Sequence, residues 1–183
     1  MDRISAALMP VQFRSRARHV LATALALIAL TLSAGACSKG RTLHGAEAST
    51  TSVAAKVVSA FNAHDSAALE ALALSEGEFR EVVWPRLPAA RPERNLSWDY
   101  VWNDLSSKSR LHLRARMKAW QSLRYQVESV RFEGESTDYG SYRVHRDARV
   151  QLRTPDGRQM SARLFGSMIE RDGRFKVFSY IVD

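Results

Sequence analysis

The sequence predicts an α+β domain in which N-terminal helices pack on a four-stranded antiparallel sheet, and three observations carry that reading. Val53, Val57 and Phe61 recur at four-residue spacing, which lays one apolar stripe along a helix. From residue 121 the period falls to two: Leu123, Tyr125 and Val127 alternate with Arg124, Gln126 and Glu128, as in a strand with one buried face. The strand half is then punctuated by Thr154-Pro155-Asp156-Gly157 and Arg171-Asp172-Gly173-Arg174, turn chemistry that joins antiparallel neighbours. Helical and strand signals are segregated along the chain rather than alternating, which favours α+β over a parallel α/β sheet.

Ahead of the domain lies an apolar stretch, residues 20–37, VLATALALIALTLSAGAC, preceded by Arg14, Arg16, Arg18 and His19. A basic start, an apolar middle and a small-residue end are the build of a secretory signal. Residues 20–32 have the length of a signal core and fall short of the roughly 20 apolar residues of a spanning helix. The end of the stretch, Leu32-Ser33-Ala34-Gly35-Ala36-Cys37, resembles the lipobox of bacterial lipoproteins. That resemblance implies a diacylglyceryl group on the Cys37 thiol, cleavage before Cys37, and a further acyl chain such as palmitate on the new N-terminus. Each buried methylene contributes about 0.8 kcal/mol, so two or three chains hold a protein stably on a membrane. Ser38 follows in place of Asp, which implies the outer membrane, facing the periplasm. A plain signal peptide cut near Ala36, leaving a free thiol, or an uncleaved anchor are the alternatives. The expected organisation is a leader over 1–36, lipidated Cys37 and a flexible tether over 37–51, and one α+β domain over 52–183.

The stretch 38–51, SKGRTLHGAEASTT, is polar, small and aperiodic, so it reads as tether with His44 solvated. The helix of Val53, Val57 and Phe61 gives way at Asn62-Ala63-His64-Asp65, where Asp65 suits the N-cap of a second helix over 66–74. Ser75 and Glu78 have the spacing of a capping box for a short helix carrying Phe79, Val82 and Val83, which Pro85 and Pro88 end. Residues 85–96, PRLPAARPERNL, form a long loop. Ser97 is the expected N-cap of a long helix with Trp98, Val101, Trp102 and Leu105 on one face, while Arg110, Arg114 and Lys118 make a basic line four residues apart.

In the strand half the alternation slips near Ser129, which predicts a bulge. A turn is expected over 133–138. Tyr142, Val144, Ala148, Val150 and Leu152 share one face of a long second strand, and Arg143, His145, Asp147, Arg149 and Arg153 share the other. A third strand over 158–171 contains Gly166, which marks a bulge or a close backbone approach. Residues 175–182 close the meander.

Two stretches, VVSAFNAHDSAALEALAL within 53–74 and the Gly166 strand with the hairpin ERDGRFKV within 164–182, resemble the nuclear-transport-factor-2-like superfamily, which includes SnoaL-like and ketosteroid-isomerase-like proteins. They cover under a third of the chain beyond the leader. The resemblance implies a curved sheet wrapped around the helices as a cone with an apolar pocket. No residue here matches the isomerase-type acid–base or oxyanion groups, so no catalytic residue is carried over.

Composition narrows the function classes. Residues 1–36 hold Arg3, Arg14, Arg16 and Arg18 against Asp2, and their removal lowers the net charge from +8 to +5. A modest basic excess on an exported chain does not call for nucleic acid. Cys37 is the only cysteine, so no disulfide forms within the chain. His44, His64, His112 and His145 show no metal-ligand spacing, and no metal or cofactor is expected. His64-Asp65 reads as a capped turn, and His145 with the basic sheet face reads as solvated surface, as does the basic helix line. Trp98 and Trp102 read as core at helical spacing, whereas Trp84, with Arg86 beside it, is the candidate interaction rim. Tyr142 and Val144, with Tyr125 and the helix aromatics opposite, are the expected lining of a ligand pocket. The functional expectation is a membrane-tethered envelope protein that binds an envelope protein or a small apolar ligand. The alternative is a SnoaL-like isomerase or hydrolase acting on a small apolar substrate.

Overall fold

The computed structural model describes residues 42–120 and 124–182. The leader, Cys37, and Gln121 and Leu123 of the expected first strand lie outside them. Helix α1 (Thr50–Asn62) starts at Ser49, whose hydroxyl accepts from the Ser52 N–H at 3.0 Å. It buries Val53, Val57 and Phe61, the expected stripe, together with Ala54, Val58 and Ala60. Helix α2 (Ser66–Leu72) is capped by Asp65, whose carboxylate accepts from the Ala68 N–H at 2.9 Å. Helix α3 (Glu76–Glu78) opens on the Ser75/Glu78 capping box and runs into a π-turn, Phe79–Val83.

The expected loop over 85–96 is a series of 3₁₀ turns, Trp84–Arg86, Pro88–Ala90 and Pro92–Arg94, each with a proline at its start. Proline suits that place, because the first N–H of a helical turn has no partner to lose. Helix α4 (Trp98–Ala119) follows as one continuous element, with Ser97 at the N-cap position but without a side-chain cap bond.

The strands form two antiparallel sheets, not one four-stranded meander. Strands β1 (Gln126–Phe132), β4 (Ala148–Arg153) and β5 (Gln159–Ala162) make a three-stranded sheet in the order β1-β4-β5. Strands β2 (Thr137–Asp138), β3 (Arg143–Arg146), β6 (Ser167–Arg171) and β7 (Arg174–Ser179) make a four-stranded sheet in the order β2-β3-β6-β7. The expected long second and third strands are the two arms of one hairpin, and each is broken at its middle. On one arm Asp147 turns left-handed at φ 54°, with its carbonyl and that of Arg146 accepting from the Glu133 and Gly134 N–H groups. On the other arm the break falls at Gly166, which accepts from the Ala148 N–H. The predicted bulge is present in β1, where the register shifts between Val127 and Ser129. Gly157 and the pair Asp172-Gly173 take the positive φ that their hairpin turns require.

The break hands the apolar side of the hairpin from one core to another. Ala148, Val150 and Leu152 join α1, Leu69, Leu113 and Met168 in one cluster. Tyr142 and Val144 instead join Phe79, Val82, Val83 and Ile169 in a second. Met168 and Ile169 point to opposite clusters, so the four-stranded sheet is covered on both faces; this is why β6 is buried along most of its length.

The expected tether is part of the fold over its described length. Leu43 and Ala46 are buried in the second cluster, and Glu47 pairs with Phe175 through two backbone hydrogen bonds of 2.8 Å. His44 is exposed as expected, but its N–H donates to Glu78 at 2.6 Å. Residues 43–51 therefore belong to the folded unit.

Candidate functional site

Two cavities lie between helix α4 and the four-stranded sheet, and Leu105 of α4 and Phe178 of β7 line both of them. The smaller, about 180 Å³, borders α2 and is lined by Glu70, Trp102, Ser106, Arg110 and Tyr180 among others. Tyr180 is fixed there: its hydroxyl donates to the Leu69 carbonyl at 2.7 Å and its N–H to the Ser109 hydroxyl at 3.0 Å. This volume lies below the roughly 300–1,000 Å³ of ligand pockets. The larger is an open groove of about 880 Å³, within that range.

Its two walls follow from element periodicity. Val101, Asp104, Leu105, Lys108 and His112 recur at helical spacing, so α4 turns one stripe into the groove. Opposite stand Tyr139, Val144 and Phe178 from the sheet, with Phe79 and Leu87 from the turns below. Arg146 and Asp147, at the break in the hairpin, line the groove together with Asp104, Lys108 and His112. Lys108 donates to Asp104 at 2.8 Å, and this contact raises the lysine above its usual range. The His112 Nδ1 accepts from the Val182 N–H at 3.4 Å, so the neutral ring carries its proton on Nε2.

The expected lining residues are only partly brought together. Val144 lines the groove. Tyr142 is buried beside it in the second cluster, stacked on Tyr139 at 4.9 Å, and its hydroxyl donates to the Val83 carbonyl at 3.1 Å. Burial, with the nearby Tyr139 phenol, pushes the Tyr142 phenol well above its usual range, so it is a locked structural donor. Tyr125 packs against Trp120 at 5.1 Å in the first cluster, apart from the other two. Trp84 is half-buried against Phe79, and of the proposed rim only Arg86 stands exposed. The exposed apolar residues of that region are Leu96 and Tyr100.

His145 is not on a solvated face. It lies half-buried on the α1 side of the four-stranded sheet and stacks on Phe132 at 4.8 Å. Its Nδ1 is 2.7 Å from the Ser136 hydroxyl and its Nε2 is 2.8 Å from the Glu170 carboxylate. With both nitrogens engaged and the ring clamped, this group ties β3 to β6 and to the chain before β2. Asp65 serves as the expected cap, and the neighbouring His64 is exposed.

A second polar cluster was not legible as a site. Lys176 and Glu78, with side chains 5% and 4% exposed, pair across the second core. The ammonium donates to both carboxylate oxygens, at 3.0 and 2.9 Å, and Glu78 also accepts from the Ser75 N–H and hydroxyl, each at 2.8 Å. Burial pushes the Glu78 carboxyl up, but Lys176 and Ser75 together outweigh it and hold the group below its ordinary value. Every oxygen is satisfied internally, so the pair is a structural rivet that also holds the His44 backbone.

Among the described residues no three His, Cys, Asp or Glu side chains converge to hold a metal ion, and no helix is long and apolar enough to cross a membrane. Comparison with protein-family models, with curated proteins and with solved structures finds no match to this chain.

Proposed function

We propose that the chain is an exported lipoprotein, held on the periplasmic face of the outer membrane through Cys37, whose domain takes an amphipathic small molecule in the groove between α4 and the four-stranded sheet. In this reading the two sheets act together as the curved, cone-like wall of a nuclear-transport-factor-2-like pocket. The groove itself carries the binding half of the proposal: about 880 Å³, with Val101, Leu105, Val144 and Phe178 as apolar lining and Lys108 and His112 as polar lining. We take the apolar residues as the floor and the polar ones as the charged end. An apolar cleft with a few convergent polar groups is the usual form of a small-molecule site. A carboxylate or similar head would sit at the charged end, with its apolar tail on the floor.

A diazirine-bearing long-chain fatty acid tests this directly. Photolabelled peptides are expected to come from the groove walls, and Val101→Trp, which fills the floor from a half-buried position, is expected to cut labelling by about tenfold, equivalent to 1.4 kcal/mol. Labelling spread over the surface, or untouched by Val101→Trp in a folded chain, would remove the proposal. The anchor has its own measurement. The intact mass of membrane-extracted protein is expected to match a chain beginning at Cys37 with added acyl-glyceryl mass; a leader-free Cys37→Ser form retained on membranes to the same degree would sink it.

One observation favours a second reading, an isomerase or hydrolase of the SnoaL-like kind: His112 lies in the groove, and among the described residues its Nε2 has no partner and could donate to a bound ligand. Under that reading the bound molecule is recovered chemically altered, and His112→Gln retains binding while the conversion stops.

A further inference from the structure

The basic side chains of the sheets are paired only in part, since among the described residues Arg131 and Arg146 have no carboxylate in ion-pair contact. On the sheets Arg143, Arg149 and Arg153 are each neutralised by a carboxylate: Asp138 at 2.9 Å, Glu133 at 2.8 Å, and Glu128. On α4, Arg110, Arg114 and Lys118 are exposed, and among the described residues none of them has a carboxylate in ion-pair contact. Arg110 shares the lining of the smaller cavity with Glu70 but forms no ion pair with it. Residues 105–127 contain no Asp or Glu, yet they contain Lys108, Arg110, Arg114, Arg116, Lys118 and Arg124. Arg116 is turned inward and donates to the Arg163 carbonyl. Cations in a helix's last turn complement its dipole, which accounts for Lys118; the effect fades within a turn and does not reach Arg110 or Arg114.

Apolar exposure falls on the same face. Tyr100 and Leu111 are each 65% exposed. Eleven residues is about three turns, so the two side chains leave α4 within about 20° of one another. Leu111 stands between Arg110 and Arg114 in sequence, and Lys118 projects in nearly its direction. An exposed leucine framed by cations suits a bilayer surface, where the acyl boundary takes Leu and Tyr while headgroup phosphates take the basic groups. An acidic polysaccharide or nucleic acid would use the cations but has no place for Leu111.

We infer that the outward face of α4, built from Arg110, Leu111, Arg114 and Lys118, docks on anionic phospholipid headgroups and lays the domain against the bilayer. The inference rests on the lipoprotein reading only for bringing the domain to a membrane. In this arrangement Leu111 leaves α4 within about 20° of Asp104 in the groove, so the docked face lies beside the groove's stripe. Each basic group close to an anionic surface strengthens contact by about fivefold, so the three cations dominate the docking equilibrium.

Photocrosslinking on the full chain tests it. Benzoylphenylalanine is placed at Leu111 or, as control, at exposed Met160 on the three-stranded sheet, and the protein is reconstituted into vesicles of phosphatidylcholine with or without phosphatidylglycerol. Phospholipid adducts are expected at 111 in phosphatidylglycerol vesicles. They should fall at least about tenfold in Arg110→Gln/Arg114→Gln/Lys118→Gln and at about 1 M salt, where screening is short-ranged. Position 160 should give background. Adducts that ignore lipid charge and the triple substitution, adducts to protein or polysaccharide instead of lipid, or no adducts at 111 at all would each overturn the inference. Intact mass of the same sample reports the anchor separately. An unacylated chain that still gives charge-dependent adducts removes the anchor and leaves the docking face; an acylated chain without adducts does the reverse.

Discussion

Lys176→Met is expected to lose about 3–5 kcal/mol of stability in urea unfolding followed by tryptophan fluorescence, because it leaves the Glu78 carboxylate charged and buried without its cation. The size of the loss comes from the charge and not from packing, since methionine fills the lysine stem's volume. That attribution has its own check. Glu78→Gln/Lys176→Met removes both charges while the glutamine oxygen can still accept from Ser75, so the double variant should be more stable than Lys176→Met alone. A double variant that is less stable than the single would mean that the ion pair itself, and not the stranded charge, carries the energy.

The same pair fixes the sign of a pH dependence. In the wild-type protein the Glu78 carboxyl is held below its ordinary value of 4.5. Its contribution to stability is therefore fully present above the unfolded-state value and is lost as pH falls through the lowered folded value. Without Lys176, burial becomes the dominant influence and the carboxyl moves up. Folding then favours the protonated form, and Lys176→Met should gain stability as pH falls from 7 toward 5, where the wild type does not. A variant whose stability stays level over that range would show that Ser75 and the His44 N–H suffice to hold the charge.

Where the sequence was informative, the physics was local. Asp65 and the Ser75–Glu78 box read correctly because a cap is decided by three or four consecutive residues. The Ser129 bulge and the Asp172-Gly173 turn are likewise short-range events. The break at Asp147 was hidden because the alternation of Tyr142, Val144, Ala148, Val150 and Leu152 runs through it without a slip. Only the tolerance of aspartate for a left-handed backbone hinted at it. Leu43 and Ala46 sit singly in a polar stretch, so no periodicity announces their burial. Lys176 looks like the outward residue of Phe175-Lys176-Val177, and its partner Glu78 lies 98 residues away. The groove was half legible: Val144 was on the right face, but the α4 stripe of Asp104, Lys108 and His112 becomes a wall only once the helix is laid across the sheet. The basic line on α4 was visible as spacing. What separated it from Arg143, Arg149 and Arg153 was the distribution of carboxylates in space.

Gly166→Ala is expected to cost about 3 kcal/mol, a large effect for one added methyl group, and it links fold to groove. Gly166 stands at the break in the hairpin, donating to the Ser179 carbonyl and accepting from the Ala148 N–H. A Cβ there would overlap the Ile181 carbonyl oxygen and lie 2.7 Å from the Ile181 carbonyl carbon. Both are backbone atoms, so no side chain can rotate away to make room. Something larger must yield: either β6 separates from β7, or the chain after β7 is displaced. The second route carries Ile181 out of the groove wall and pulls the Val182 N–H from His112. Gly166→Ala should therefore weaken fatty-acid photolabelling as well as lowering the urea midpoint, whereas a purely structural role would leave labelling of the folded fraction intact. A variant with wild-type stability would mean that the backbone at Ile181 is free to move, and the close approach that splits the two sheets would no longer be what holds the groove in shape.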